Sequence, residues 1–382
     1  MSMAKDVKQA SLELHEKLKG KIRIQPTCEI ETKEDLSLVY SPGVGAVAQA
    51  IAEDASAVDR YTWRKNTVAI VSDGSAVLGF GDIGYLAVLP VLEGKSAIFK
   101  RFSGIDAVPI VIDTKDVDAF VETVAHIAPS FGAIQMEDVS APRCFEIERK
   151  LMKRLDMPVM HDDQHGTAIV VLAGLINALK VTGRTIENTK VVMNGAGAAG
   201  IAIARLLIDA GVKDFVMCDR QGAIYEGRDG LNDEKKEVAA FTNIAKRSGT
   251  LAEVSQEADV LIGVSAAGAF TANIVKTMAK DPIVFALANP VPEIDPELAK
   301  SAGVAVIATG RSDYANQVNN ALCYPGLFRG MLDHGVKHVT KDIKLRAARA
   351  IAESVVNPSG DMVIPSIFEP GLHELVAKSV QG

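Results

Sequence analysis

Short apolar runs alternate along this chain with longer stretches whose apolar positions return every three or four residues. The runs Thr67–Ser72, 97–99, 108–112, Ala133–Met136 and 158–163 read as strands, the last ending in acids, since they are mainly apolar and turn residues bound them. Helical spacing over residues 117–128 and 142–155 fills the gaps between them, and a long apolar helix follows over 167–180. The alternation then resumes, with strands at 190–193, 215–218, 259–263, 283–286 and 304–307. Strand–helix alternation of this kind predicts the α/β class with mostly parallel sheets. At either end the pattern is helical. Val7, Ala10, Leu14 and Leu18 share one face before Gly20, a packing or dimer-forming element in which His15 sits among charges. Residues 341–355 carry apolar positions at helical spacing.

A chain of 382 residues exceeds one ordinary core. Two domains are predicted: residues 1–160, and residues 161–382 as a doubly wound Rossmann-type unit whose terminal helices return toward the first. Composition mainly narrows the partners. A net charge of −7 and 5% aromatic residues give no basic face and little stacking surface, so no nucleic-acid partner is expected. No run of 18 apolar residues and no secretory h-region stand in the sequence, so a cytoplasmic protein without membrane association is expected. Cys28, Cys144, Cys218 and Cys323 form no C-x-x-C pair and suggest neither zinc nor a disulfide framework.

The strongest local signal is Asn194-Gly195-Ala196-Gly197-Ala198-Ala199-Gly200 between an apolar strand and an Ala/Leu/Ile-rich helix. Gly195 permits the tight turn, Gly197 the approach of a pyrophosphate, and Gly200 close packing of helix on strand, with Ala198 and Ala199 opening the helix. Asp219 ends the next strand 19 residues beyond Gly200, close to the about 20 expected for a carboxylate on the adenine ribose. It favours NAD, while Arg220 beside it would offset the charge and admit NADP. Gly79 to Gly84 is also Gly-rich, but lacks that strand–turn–helix setting and is not counted as a second nucleotide site.

Glu137-Asp138 ends one predicted strand and Asp163 the next. Parallel neighbours lie about 4.8 Å apart, so their C-terminal loops bring the three carboxylates together. Such a set suits Mg²⁺ or Mn²⁺, and suits helix caps and first-turn acids equally. His161 and His165 flank the acids without the H-E-x-x-H pattern and are expected to support or pack. Neither Lys95 nor Tyr40 is singled out by its own surroundings.

Taken in order, these segments resemble the malic enzymes of the short bacterial type. The resemblance rests on residues 39–45 (Val-Tyr-Ser-Pro-Gly-Val-Gly), Ser72-Asp73-Gly74, the Gly79–Gly84 loop, Glu93-Gly94-Lys95, Gln135 to Asp138, His161 to Thr167, Asn194 to Gly200, Ala288-Asn289-Pro290, Asn319-Asn320 and Tyr324-Pro325-Gly326. It implies oxidative decarboxylation of (S)-malate to pyruvate and CO₂ with NAD⁺ or NADP⁺ and a divalent metal, in a homodimer. It further implies Glu137, Asp138 and Asp163 as metal ligands, Lys95 as general base and substrate contact, Tyr40 as general acid, and Asp162 as the group that holds the lysine. Asn289, Asn319 and Asn320 are implied as contacts to malate or the nicotinamide region. One position departs: Ala76 stands where long, animal-type members carry a carboxylate-binding arginine. The alternatives are malolactic conversion, plain oxaloacetate decarboxylation, or a non-catalytic NAD(H) sensor.

Overall fold

A computed structural model describes residues 2–381, with side chains from Val7 onward. The chain opens with helices α1 (Ser2–Leu18), α2 (Lys33–Val39), α3 (Val44–Glu53) and α4 (Val58–Tyr61). Thr32 and Asp35 form a capping box at the start of α2. No residue from Val7 to Asn66 is buried, although the segment is rich in Leu, Ile, Val and Tyr.

The first α/β unit follows. Strands β1 (Thr67–Ser72), β2 (Asp106–Val111), β3 (Ala133–Met136) and β4 (Val159–His161) form a parallel sheet in the order β2-β1-β3-β4. Helices α5 (Leu89–Ser103), α6 (Val117–Ile127) and α7 (Arg143–Arg154) connect them. The run 97–99, expected as a strand, lies inside α5. Leu92, Ser96 and Phe99 recur at helical spacing and are all buried, so the helical period absorbs the short apolar run.

Helix α8 (Asp162–Val181) starts five residues earlier than its apolar stretch suggested, directly after β4. By length and composition it passes for a membrane span, yet it is largely buried inside the molecule. A helix apolar all round is a core helix, and α8 packs against α9 (Ala198–Asp209) and α15 (Lys341–Glu353).

The second sheet has the order β10-β9-β8-β5-β6-β7 and comprises β5 (Lys190–Asn194), β6 (Asp214–Asp219), β7 (Gly222–Ala223), β8 (Val260–Gly263), β9 (Ile283–Ala286) and β10 (Val306–Thr309). All pairs are parallel except β6 with β7. Helices α10 (Asp233–Phe241), α11 (Leu251–Val254), α12 (Ala272–Lys276) and α13 (Pro296–Ser301) link its strands. Strand order reverses at β5, between β6 and β8, and a crevice opens beyond the strand ends at such a point. The fold is therefore two α/β units with parallel sheets, the second of Rossmann type.

The tail does not stay with the second sheet. Helix α14 (Tyr324–His334) lies on α5, and α16 (Leu372–Lys378) packs against α14. Phe99 meets the Tyr324 ring at 4.7 Å and the Phe328 ring at 5.5 Å, both edge-on, and all three are fully buried. Removing the Phe99 ring leaves a cavity between the two units. Phe99→Ala is expected to cost about 3–5 kcal/mol of stability by chemical denaturation; a loss below about 1 kcal/mol would show that this contact does not hold the tail in place.

Candidate active site

Parallel pairing of β3 with β4 puts Met136 opposite His161, so the residues after each strand, Glu137-Asp138 and Asp162-Asp163, emerge side by side. Donor atoms of Glu137, Asp138 and Asp163 all lie within 4.8 Å of one another. Asp138 has a left-handed backbone (φ 52°), its N–H donates to Asp163 Oδ2 at 2.8 Å, and its buried Oδ2 has no hydrogen-bond partner. Asp162 and Asp163 also occupy the first turn of α8. Position 76 adjoins the cluster, since the Ala76 N–H donates to the Asp138 carbonyl at 3.0 Å.

Helix α5 brings Lys95 against this group. Its buried Nζ is 2.5 Å from Asp162 Oδ2 and 2.9 Å from Glu137 Oε1, and lies 4.6 Å from the centre of the Tyr324 ring. Burial alone would lower the Lys95 pKa, but Asp162 and Glu137 outweigh it and hold the amine well above its usual value. Four acids face one lysine, so the full set would carry −4 + 1 = −3 if every group were ionised. Burial first, and the neighbouring Asp163 second, push Asp138 up to about 7. Burial opposes ionisation of Asp163 too, yet His161 and the Asp138 N–H reverse it and keep that carboxyl below its usual range. The orphaned Asp138 oxygen, the oxygen-only donors and the excess negative charge together fit a hard divalent cation.

Sequence reasoning foresaw His161 and His165 as supports of this cluster but missed Gly166 and Glu148. A Cβ on Gly166 would stand 1.9 Å from Asp162 Oδ1 and 3.2 Å from Asn320 Cβ, so glycine one turn along α8 makes room for Asp162. The Asp162–Gly166 spacing, i to i+4, was the available signal. His161 Nε2 lies 3.0 Å from Asp163 Oδ2, and buried Glu148 accepts from the His161 N–H at 2.7 Å and pairs with His165 at 3.1 Å. Burial raises the Glu148 pKa, but His165 above all brings it down to about 2. His161 and His165 thus orient acids.

The nucleotide side is built as the glycine spacing requires. Gly195 has φ 121°, and a Cβ there would sit 2.7 Å from the Val264 carbonyl. A Cβ on Gly200 would sit 2.0 Å from the Gly195 carbonyl, whereas Gly197 faces open space. Ala198 and Ala199 begin α9 over this turn. Glu293, unforeseen, ties the strand-end loops behind it: it accepts from the Ser265 N–H at 2.8 Å and the Ala288 N–H at 2.9 Å. Asn289 lies where the two units touch, because a Cβ on Gly79 of the first would meet the Asn289 carbonyl at 1.8 Å. Asn320 stands beside Asp162 and Gly166, while Asn319 accepts from the Ala321 N–H at 2.8 Å.

Tyr40 and Asp219 have surroundings that the sequence did not suggest. Tyr40 caps α2 and is 68% exposed, and the tyrosine ring beside Lys95 is that of Tyr324. Asp219 ends β6 as expected, but its carboxylate is already engaged: Arg228 donates at 2.9 Å and 2.5 Å, Lys235 at 2.6 Å and the Gln221 N–H at 2.9 Å. Arg220 is exposed.

A Rossmann unit with a Gly-rich turn, in one chain with a lysine–carboxylate centre at the strand ends of another α/β unit, is the build of a two-domain dinucleotide oxidoreductase. The chain matches the family descriptions "Malic enzyme, N-terminal domain" over residues 19–152 and "Malic enzyme, NAD binding domain" over residues 164–375, and it belongs to the malic enzyme family. The bifunctional malic/malolactic enzyme of Bacillus subtilis is 53% identical over 98% of this chain and 92% of its own length. The NAD-dependent malic enzyme of Geobacillus stearothermophilus is 52% identical over 94% of this chain and 76% of its own. The crystal structure of the NAD-dependent malic enzyme of Thermotoga maritima superposes with a TM-score of 0.94 at 47% identity, covering 97% of this chain and 98% of that one. Other relatives, at 45% identity, are named NADP-dependent malic enzymes, and the chain spans 52% of their length.

Substituting Gly200 tests the turn. Gly200→Ala is expected to cost about 1–3 kcal/mol through overpacking and to weaken NADH binding, read by nucleotide fluorescence; unchanged NADH affinity would show that the turn does not carry the nucleotide.

Proposed function

We propose that this chain oxidises (S)-malate and decarboxylates the product to pyruvate and CO₂, with NAD⁺ or NADP⁺ as hydride acceptor. The observation that carries this reading is the Lys95 amine held between Asp162 and Glu137, at the convergence of the Glu137, Asp138 and Asp163 carboxylates. Lys95 serves as the base for the C2 hydroxyl, which must lose its proton as hydride leaves C2. A charged amine cannot do this, and Asp162 Oδ2 at 2.5 Å is the group placed to take the proton from Nζ first. Burial, the leading cause, raises the Asp162 pKa and so suits that carboxylate to hold a shared proton. Glu137, Asp138 and Asp163 would hold Mg²⁺ or Mn²⁺, which when bound supplies Lewis-acid polarisation of the C2 oxygen for loss of CO₂. Asn289, which touches Gly79 of the first unit, and Asn320, beside Asp162 and Gly166, would contact malate or the nicotinamide.

The decisive experiment incubates purified protein with malate, Mn²⁺ and either cofactor, following nicotinamide reduction, pyruvate and lactate. Reduced cofactor with pyruvate is expected, lost on chelation and restored by Mn²⁺. Lactate without reduced cofactor would instead support the malolactic activity carried in the name of the B. subtilis relative. Lys95→Ala is expected to lower turnover by about 10²-fold or more; retention of most of the activity would remove Lys95 from the chemistry.

Protonation of C3 of enolpyruvate falls to Tyr40, which has to reach a site it does not line within one chain. Ile24, Leu38 and Tyr40 are among the exposed residues of the N-terminal segment, and Leu78, Phe80, Ile83 and Leu86 are exposed on the loop that leads to α5. Apolar surface on both segments supports a homodimer in which the first segment of one copy covers the loop of the other. Hybrid dimers of a Tyr40→Phe chain with a Lys95→Ala chain then contain one complete site and are expected to give about half of the wild-type turnover. Inactive hybrids would place acid and base in the same chain.

A further inference from the structure

The Lys95 amine has one neighbour that is neither acid nor substrate. It lies 4.6 Å from the centre of the Tyr324 ring, inside the range of about 6 Å over which a ring face attracts a cation. Tyr324 opens α14 and is held there from both sides. In front, its ring meets Phe99 edge-on at 4.7 Å. Behind, α16 closes on α14 through two glycines: a Cβ on Gly326 would stand 2.5 Å from the His373 carbonyl, and one on Gly330 2.4 Å from the Ala377 carbonyl. The ring is fully buried, so packing sets its place beside the amine.

The hydroxyl does not explain why a tyrosine stands there. Its oxygen is buried and has no hydrogen-bond partner among the described residues, which costs stability and adds none. Burial above all pushes the Tyr324 pKa well above its usual value, so the ring stays neutral. What remains is the ring face. The amine already has Asp162 Oδ2 at 2.5 Å and Glu137 Oε1 at 2.9 Å. A further carboxylate would compete for its proton, and an aliphatic side chain would leave the buried charge uncompensated on that side. A ring face attracts the charge and takes no proton.

We infer that the Tyr324 ring is a positioning group for Lys95, pinning the amine toward Asp162 and Glu137 without competing for its proton, and that the Tyr324 hydroxyl takes no part. The inference rests on Lys95 acting as the base for the C2 hydroxyl.

Steady-state kinetics of the intact protein with malate, Mn²⁺ and NAD⁺ or NADP⁺ test it. Tyr324→Phe keeps the ring and is expected to hold kcat within about twofold of the unaltered protein. Tyr324→Leu removes the ring and is expected to lower kcat about tenfold with the malate KM nearly unchanged, because the ring acts on the lysine and not on the substrate. Pentafluorophenylalanine incorporated at position 324 keeps the shape but inverts the charge of the ring face, and is expected to lower kcat as Tyr324→Leu does, even if the leucine variant fails to fold. Phe328→Leu removes a ring that meets Phe99 instead of Lys95, and is expected to lose stability in denaturant while keeping its kcat. In a Lys95→Ala background, Tyr324→Leu is expected to cost no further turnover, since the group it positions is gone. A tenfold loss in Tyr324→Phe would give the role to the hydroxyl, and an unchanged kcat with the fluorinated ring would reduce Tyr324 to packing; either result overturns the inference while leaving Lys95 as the base. Full turnover in Lys95→Ala alone would overturn the base assignment and the inference with it.

Discussion

The Lys95 amine buried between Asp162 and Glu137 is the constraint on which the remainder of the structure depends. A buried ammonium survives only if anions compensate it, and buried anions only if cations do. Each group in the centre therefore fixes its neighbours. Asp162 fits because Gly166 leaves space for Oδ1, Asp163 is steadied by His161, and the acids left over give the cluster its excess of negative charge. The sheet contributes geometry: β3 and β4 are adjacent and parallel, so two short acidic dipeptides emerge together. Helix α5 then has only to point one lysine inward, and Phe99 one turn later anchors it against α14.

Much of this was legible in the sequence, for identifiable reasons. Parallel strands buried on both faces read as continuous apolar runs, so nearly all the strands of both sheets were found. The glycines of the nucleotide turn are required by backbone approach, and such requirements show in the sequence directly. The run 97–99 failed because three apolar residues fit either period, and only the tertiary burial of Leu92 and Phe99 decides between them.

The site was legible unevenly. The three acids follow from strand order, whereas Lys95 and Tyr40 came only through resemblance to a family, because neither has a local pattern that marks it. Gly166, Glu148 and Glu293 act through other residues at a distance in the chain, which leaves no short motif to read. At Asp219 sequence spacing placed a carboxylate at the end of β6 but did not show its company. Arg228 and Lys235 arrive through the turn after β7 and through α10, and their approach decides what charge the carboxylate presents.

The return of α14 to α5 bears on modularity. Family boundaries divide this chain near residue 160, yet Tyr324 and Phe328 from the far side of that boundary fill the back of the helix that carries Lys95. Without α14, Phe99 would lose the two rings it packs against, and Lys95 the Tyr324 ring whose centre lies 4.6 Å from its amine. The two halves therefore share one hydrophobic core at this contact, and the helix that carries Lys95 is packed by residues from both.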